Sequence, residues 1–281
     1  MRIYSILAVA VICLQASTVR AEKVVRVACV GDSITYGAGV ANRGKNNYPK
    51  VLGGLLGAGY ESRNFGVSGA TLLKKGDHPY WRTGAFKAAA EFKPHIVIIK
   101  LGTNDSKPQN WKHKAQYAID LAAMVEHFQA LPSRPKVWLC KPVPVYKDRW
   151  GITEKIVKGE VIPLLEGVAK NKKLPVIDLY KALSGAKEHF PDGVHPNVKG
   201  AEIIAQAVHK AIKAVGKGLS LGLDQFDVSL QTGEPAALLV TRWDASEASR
   251  WSIVDLDVGD GYSAAIAIEG HGGTVRCWED W

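Results

Sequence analysis

Ser33 follows a nearly continuous apolar run, Val24 to Val30, and stands in a Gly31-Asp32-Ser33 turn. A serine hydroxyl is a weak nucleophile at neutral pH unless a base takes its proton and a third group holds that base. Far along the chain, Asp192-Gly193-Val194-His195-Pro196 offers both. Asp192 is close enough in sequence to orient the His195 imidazole and to stabilise its protonated form. Acyl transfer also needs donors aimed at the developing oxyanion. The backbone N–H of Ser33, the backbone N–H of Gly69 in Asn64-Phe65-Gly66-Val67-Ser68-Gly69 and the side-chain amide of Asn104 in Gly102-Thr103-Asn104-Asp105 are the candidates. Each piece alone is common, since Asp-x-x-His is more often a capped turn than a dyad and Gly-x-Asn-Asp is normally a plain turn. Their joint occurrence points to acyl transfer with serine as the nucleophile.

These residues can meet only if the elements before them share one edge. Runs at 24–30, 60–65, 95–101, 136–141 and 176–179 are strand-like, and VVRVACV, HIVIIKL and KVWLC are apolar enough for strands buried on both faces. Helical patterns at 48–56, 85–92, 111–131, 153–170 and 198–215 alternate with them. Strands alternating with helices imply parallel pairing through right-handed crossovers, so the expected fold is a three-layer α/β/α sandwich around a parallel sheet. Ligands bind such sheets outside the carboxyl ends of the strands, which is where Ser33, Gly69, Asn104 and the Asp192–His195 loop fall.

The chain has 281 residues, 47% of them hydrophobic and 22% charged, proportions that exclude collagen-like, coiled-coil and mainly disordered classes. Residues 1–21 differ from the rest. Arg2 precedes an apolar run from Ile6 to Leu14, and Val19-Arg20-Ala21 supplies small residues where a signal peptidase reads. The expectation is a signal peptide, a mature start near Glu22 and an exported protein, periplasmic or secreted, with no membrane span. Cys13 would leave with the signal. Cys29, Cys140 and Cys277 would remain, the first two as buried thiols in apolar runs.

Net charge is +9, yet residues 218–281 carry three Arg, no Lys and 11 carboxylates. That asymmetry places a boundary at about Gly216-Lys217-Gly218, dividing a domain at 22–217 from an acidic extension at 218–281. The extension has strand-like runs (AALLVTRW, RWSIVDLDV, YSAAIAI) and is expected to be dispensable for catalysis. The basic part lacks a Lys/Arg cluster interleaved with aromatics, so nucleic acid is not an expected partner.

Trp81, Trp111 and Trp150 flank the functional loops, where an indole face can stack on a sugar ring or simply pack the loops onto the sheet. Lys74, Lys75 and Lys107 are placed to meet a carboxylated sugar, although solvated loop lysines are commoner. His78 beside Asp77 imitates a second dyad and reads as a polar loop. Gly37-Ala38-Gly39 lacks the third glycine of a dinucleotide fingerprint.

With these blocks in order, the chain resembles the SGNH hydrolase superfamily, the GDSL esterases and lipases, from Lys23 to about Val215. Ser33 stands at the name-giving serine, with Ile34 where the block usually has Leu. Gly69 ends the second block, Asn104 lies in the third, and Asp192 and His195 lie in the fourth. The resemblance implies a flavodoxin-like fold, no cofactor and ester hydrolysis through an acyl-enzyme; with no Cys-x-x-Cys and no His-Glu-x-x-His in the sequence, no metal is expected. The stretches GVSGATLLKKGDHPYW and IIKLGTNDSKPQNW are similar to exported bacterial members of the carbohydrate-esterase kind, labelled sialate O-acetylesterase or acetylxylan esterase. The expected substrate is a short-chain acyl ester on a small molecule or a polysaccharide. The alternatives are a lipid or thioester acylhydrolase and a non-catalytic carbohydrate-binding protein.

Overall fold

The computed structural model describes residues 24–216 and the backbone of four strands between 226 and 269. Five parallel strands form the central sheet: β1 Val25–Gly31, β2 Tyr60–Gly66, β3 Ile96–Lys100, β4 Lys136–Cys140 and β5 Val176–Ile177. Their order is β2-β1-β3-β4-β5, a doubly wound arrangement whose direction reverses beside β1. Gly31 pairs with Gly66 on one side and Lys100 on the other, so β1, β2 and β3 end level and release their loops together.

The alternation of side chains along the strands sorts the helices. Ala28, Val30, Val97, Ile99, Val137 and Leu139 share one apolar cluster with residues of the helices Gly84–Glu91, Tyr117–Gln129 and Ile162–Asn171. Cys29 points the other way, toward Ser62 and the helix Tyr48–Leu56, whose Tyr48 is buried. Val198–Gly216 buries Ala201, Ile204, Ala205, Val208 and Ile212 at helical spacing. The expected sandwich with a parallel sheet is what the chain forms.

Three elements differ from expectation for local reasons. The pattern at 111–131 breaks into Pro108–Trp111, a short 3-10 turn Lys114–Gln116 and the helix Tyr117–Gln129, because Lys112, His113 and Lys114 offer no apolar side chain to bury. The pattern at 153–170 carries a π-helical turn, Val157–Val161, just before the Pro163 of the next helix, where a missing N–H interrupts the regular ladder. The last strand stops at Ile177 because the Asp178 side chain accepts the Lys181 N–H and starts the helix Leu179–Ala182.

Cys29 and Cys140 are buried free thiols, and burial pushes Cys29 up to about 12. Cys13, Cys277 and the expected signal peptide lie outside the described residues. No helix among the described residues is long and apolar enough to cross a membrane. The chain divides into two compact units, 1–211 and 212–281, a division inside the last helix rather than after it. In the second unit, β6 Phe226–Ser229 pairs antiparallel with β7 Ala237–Thr241, and β8 Trp251–Leu256 with β9 Ala264–Glu269. The last three fall on the runs read as strands.

Candidate active site

β1 ends at Gly31, and no side chain would fit there: a Cβ would stand 2.1 Å from Thr35 Oγ1 and 2.6 Å from the Lys100 carbonyl oxygen. The chain can therefore fold straight back over the strand end into the turn Ser33–Tyr36. Asp32 caps this turn, its Oδ1 accepting the Ile34 N–H at 3.0 Å. Ser33 is the first residue of the turn, where a backbone N–H has no carbonyl one turn earlier to receive it.

His195 reaches Ser33 across the sheet edge. Its Nε2 lies 2.9 Å from Ser33 Oγ, and its Nδ1 lies 2.8 Å from Asp192 Oδ2. Since a carboxylate only accepts, Nδ1 carries the proton and Nε2 is left to accept the Ser33 O–H. The other Asp192 oxygen accepts the N–H groups of Val194 (2.8 Å) and His195 (2.7 Å), which fixes the carboxylate against the loop that holds the imidazole. Burial by itself would raise the Asp192 carboxyl, but those donors and the imidazole outweigh it and hold it below the usual carboxylate range.

The expected oxyanion donors come to the same place. An open cleft is lined by Ser33, Ala38, Ser68, Gly69, Asn104, Lys107, Trp150, Ile152 and His195. Gly69 takes φ +81°, a backbone that side chains rarely adopt, and so turns the second loop along the cleft. Asn104 starts a 3-10 turn after β3; its Nδ2 donates one hydrogen to the Ala70 carbonyl at 3.1 Å, leaving the second for a ligand. Asp105, next in the chain, is buried and accepts the N–H groups of Leu72 (3.0 Å) and Leu73 (2.7 Å), clamping the second loop to the third. Burial pushes its carboxyl up to about 7 against the pull of those bonds.

The aromatic and basic candidates divide. Trp81 does not line the cleft: its Nε1 donates to the Leu72 carbonyl, and its ring packs on Phe86. Trp111 is buried, bonded to Glu160 and stacked edge-on against Tyr117. Both brace loops, because an indole next to the sheet gains more from the core than from water. Lys74 lays its ammonium over Trp81 and pairs with Asp120, and Lys75 is solvent-exposed; neither lines the cleft. Asp77 accepts from the side-chain amides of Gln109 and Asn110 and from the backbone N–H of His78.

Trp150 and Lys107 do line it. Trp150 is 52% exposed, its ring 5.4 Å from that of His195. It sits at φ +54°, followed by Gly151 at +78°, at the tip of a two-residue hairpin in which Arg149 and Ile152 exchange both backbone bonds. A bulky residue in left-handed backbone is strained, and such strain collects at functional sites. The sequence reading did not find Ile152, Ala38 or Ser68; the one available signal was the Trp-Gly pair at a turn.

Residues 29–203 match the GDSL-like lipase/acylhydrolase family. An acetylxylan esterase of Xylanibacter ruminicola is 43% identical over 210 residues, covering 68% of this chain and 44% of that protein. The chain thus spans less than half the length of that relative. Among solved structures, an aryl esterase of M. smegmatis (TM-score 0.56, 22% identity) and a carbohydrate acetylesterase from Sinorhizobium meliloti (TM-score 0.56, 21% identity) each align over 68% of this chain and 99% of theirs, a likeness of fold.

Proposed function

The chain belongs to the GDSL-like lipase/acylhydrolase family, and from that premise we propose that it is a serine esterase that removes acetyl groups from a carbohydrate. The observation that carries the reading is the Ser33–His195–Asp192 relay, bonded at 2.9 and 2.8 Å on the edge of a cleft that also holds Gly69 and Asn104. Ser33 Oγ attacks the acyl carbonyl carbon while its proton passes to His195 Nε2. The carbonyl oxygen, now an anion, receives the N–H groups of Ser33 and Gly69 and the free hydrogen of Asn104 Nδ2. As the intermediate collapses, the bond to the alcohol breaks and His195 returns the proton to the departing oxygen. Water then attacks the acyl-serine, losing a proton to His195; the bond to Ser33 Oγ breaks, His195 returns the proton to Ser33 Oγ, and acetic acid leaves, ionising to acetate.

The carbohydrate part is supported by the acetylxylan esterase relative and by the exposed indole of Trp150 beside His195, the side from which the alcohol must depart. A short acyl group suits a cleft whose apolar lining is limited to Ala38, Ile152 and Trp150. We further infer that residues 1–21 direct export and are removed. The test is acetate release from acetylated xylan, acetylated sialic acid and a long-chain ester, side by side. Release from an acetylated carbohydrate with little cleavage of the long chain is expected; preference for the long chain would make this a lipase.

A further inference from the structure

Lys100 closes β3 with its side chain 0% exposed, and Asp32 is equally buried. Ile98, two residues back on the same face of the strand, is fully buried, so an apolar side chain suits this face, and burying an ammonium and a carboxylate is costly unless every partner is supplied. Here they are supplied. Lys100 Nζ stands 3.1 Å from each Asp32 carboxylate oxygen and 2.9 Å from Thr103 Oγ1, which uses its three donors. Asp32 directly precedes Ser33, and Thr103 directly precedes Asn104. One ammonium therefore joins the residue before the nucleophile to the residue before the side-chain oxyanion donor, across loops that follow different strands. The backbone alone ties them by one long bond, Asp32 N–H to the Lys100 carbonyl at 3.3 Å.

We propose that Lys100 is a positioning residue for catalysis, which through Asp32 and Thr103 sets the Asn104 amide relative to Ser33 Oγ. This rests on the esterase reading above. Catalytic groups must be held to within a fraction of an ångström, so freeing the third loop from the first would misplace the oxyanion donor while leaving the cleft able to bind ester. Thr103→Val removes only the hydroxyl that accepts from Lys100 and keeps the ion pair; Thr103→Ser keeps the hydroxyl.

The experiment measures kcat and KM on a small acetyl ester for wild type, Thr103→Val and Thr103→Ser, and repeats Thr103→Val in an Asn104→Ala background, with circular dichroism and Tm to confirm folding. Thr103→Val is expected to lower kcat about tenfold with KM within about twofold, Thr103→Ser to stay near wild type, and Thr103→Val to change kcat less than about twofold once Asn104 is gone. Should Thr103→Val not fold, Lys100→Met combined with Asp32→Asn removes both charges together, and the same kcat loss at steady KM is expected. A folded variant that keeps its kcat, or a Thr103→Val loss undiminished in the Asn104→Ala background, would overturn the proposal and leave a structural brace. Wild type without turnover on any acetyl ester would overturn the esterase reading and this inference with it.

Discussion

In the proposed mechanism Ser33 is activated by His195, whose Nε2 is 2.9 Å away, so removing the serine oxygen should remove turnover without disturbing the fold. Ser33→Ala is expected to lower kcat by up to about a millionfold, the scale seen when an activated serine is lost. A folded variant with a tenth of wild-type rate on a short ester would take the nucleophile's role from Ser33. The pH behaviour follows from the same residues. Asp192 is held below the usual carboxylate range, so it stays charged in mild acid and its stabilising bonds are lost only as pH falls through that lowered value. Asp105 has the opposite sign. Its carboxyl is pushed up to about 7, so the folded chain keeps a proton that the unfolded chain has released, and stability falls as pH rises from about 4 to about 7. In a comparison of Tm across that window, wild type should lose stability relative to Asp105→Asn; parallel curves would refute it.

The elements show which parts of the site are written in the sequence. Strands expected at 24–30, 60–65 and 95–101 form as Val25–Gly31, Tyr60–Gly66 and Ile96–Lys100; the first and third are apolar runs buried in the sheet, whereas Tyr60–Gly66 is a more polar strand at its edge. Their loops then deliver Ser33, Gly69 and Asn104 to one edge. What periodicity cannot show is which way a loop side chain turns. Trp81, Trp111 and Trp150 have equal standing as sequence, and only their bonds to Leu72 and Glu160 separate the first two from the cleft. Lys100 is likewise hidden within an apolar run, since its justification, Asp32, lies on another strand's loop. The hairpin Arg149–Ile152 is the element that brings Trp150 over His195. Trp150→Ala should therefore lower kcat/KM on an acetylated xylo-oligosaccharide at least about tenfold, and ethyl acetate hydrolysis much less, as expected for lost ring contact. Equal losses on both esters would make Trp150 a support for His195 and not a contact for the alcohol.

At the scale of the whole molecule, every residue of the cleft and the relay lies between 33 and 195, within the first compact unit. Charge alone suggests a boundary at about 216–218, whereas the pairing of β6 with β7 and of β8 with β9 needs the structure, because short alternating runs do not state their partners. A chain ending after Lys217 should keep near-normal kcat on a small ester; a folded truncation without turnover would mean that the second unit completes the site. Acetyl esters should likewise exceed octanoyl esters in kcat/KM, each unaccommodated methylene forfeiting up to about 0.8 kcal/mol of burial. In the proposed mechanism Ser33 is acylated by substrate and released by water. The most direct measurement is acid quenching of the protein during turnover of an activated acetyl ester, followed by peptide mass mapping. One acetyl group is expected on the peptide containing Ser33, absent from Ser33→Ala; rapid acetate release with no acetyl on Ser33 at any quench time, or acetyl carried by another residue, would contradict the mechanism.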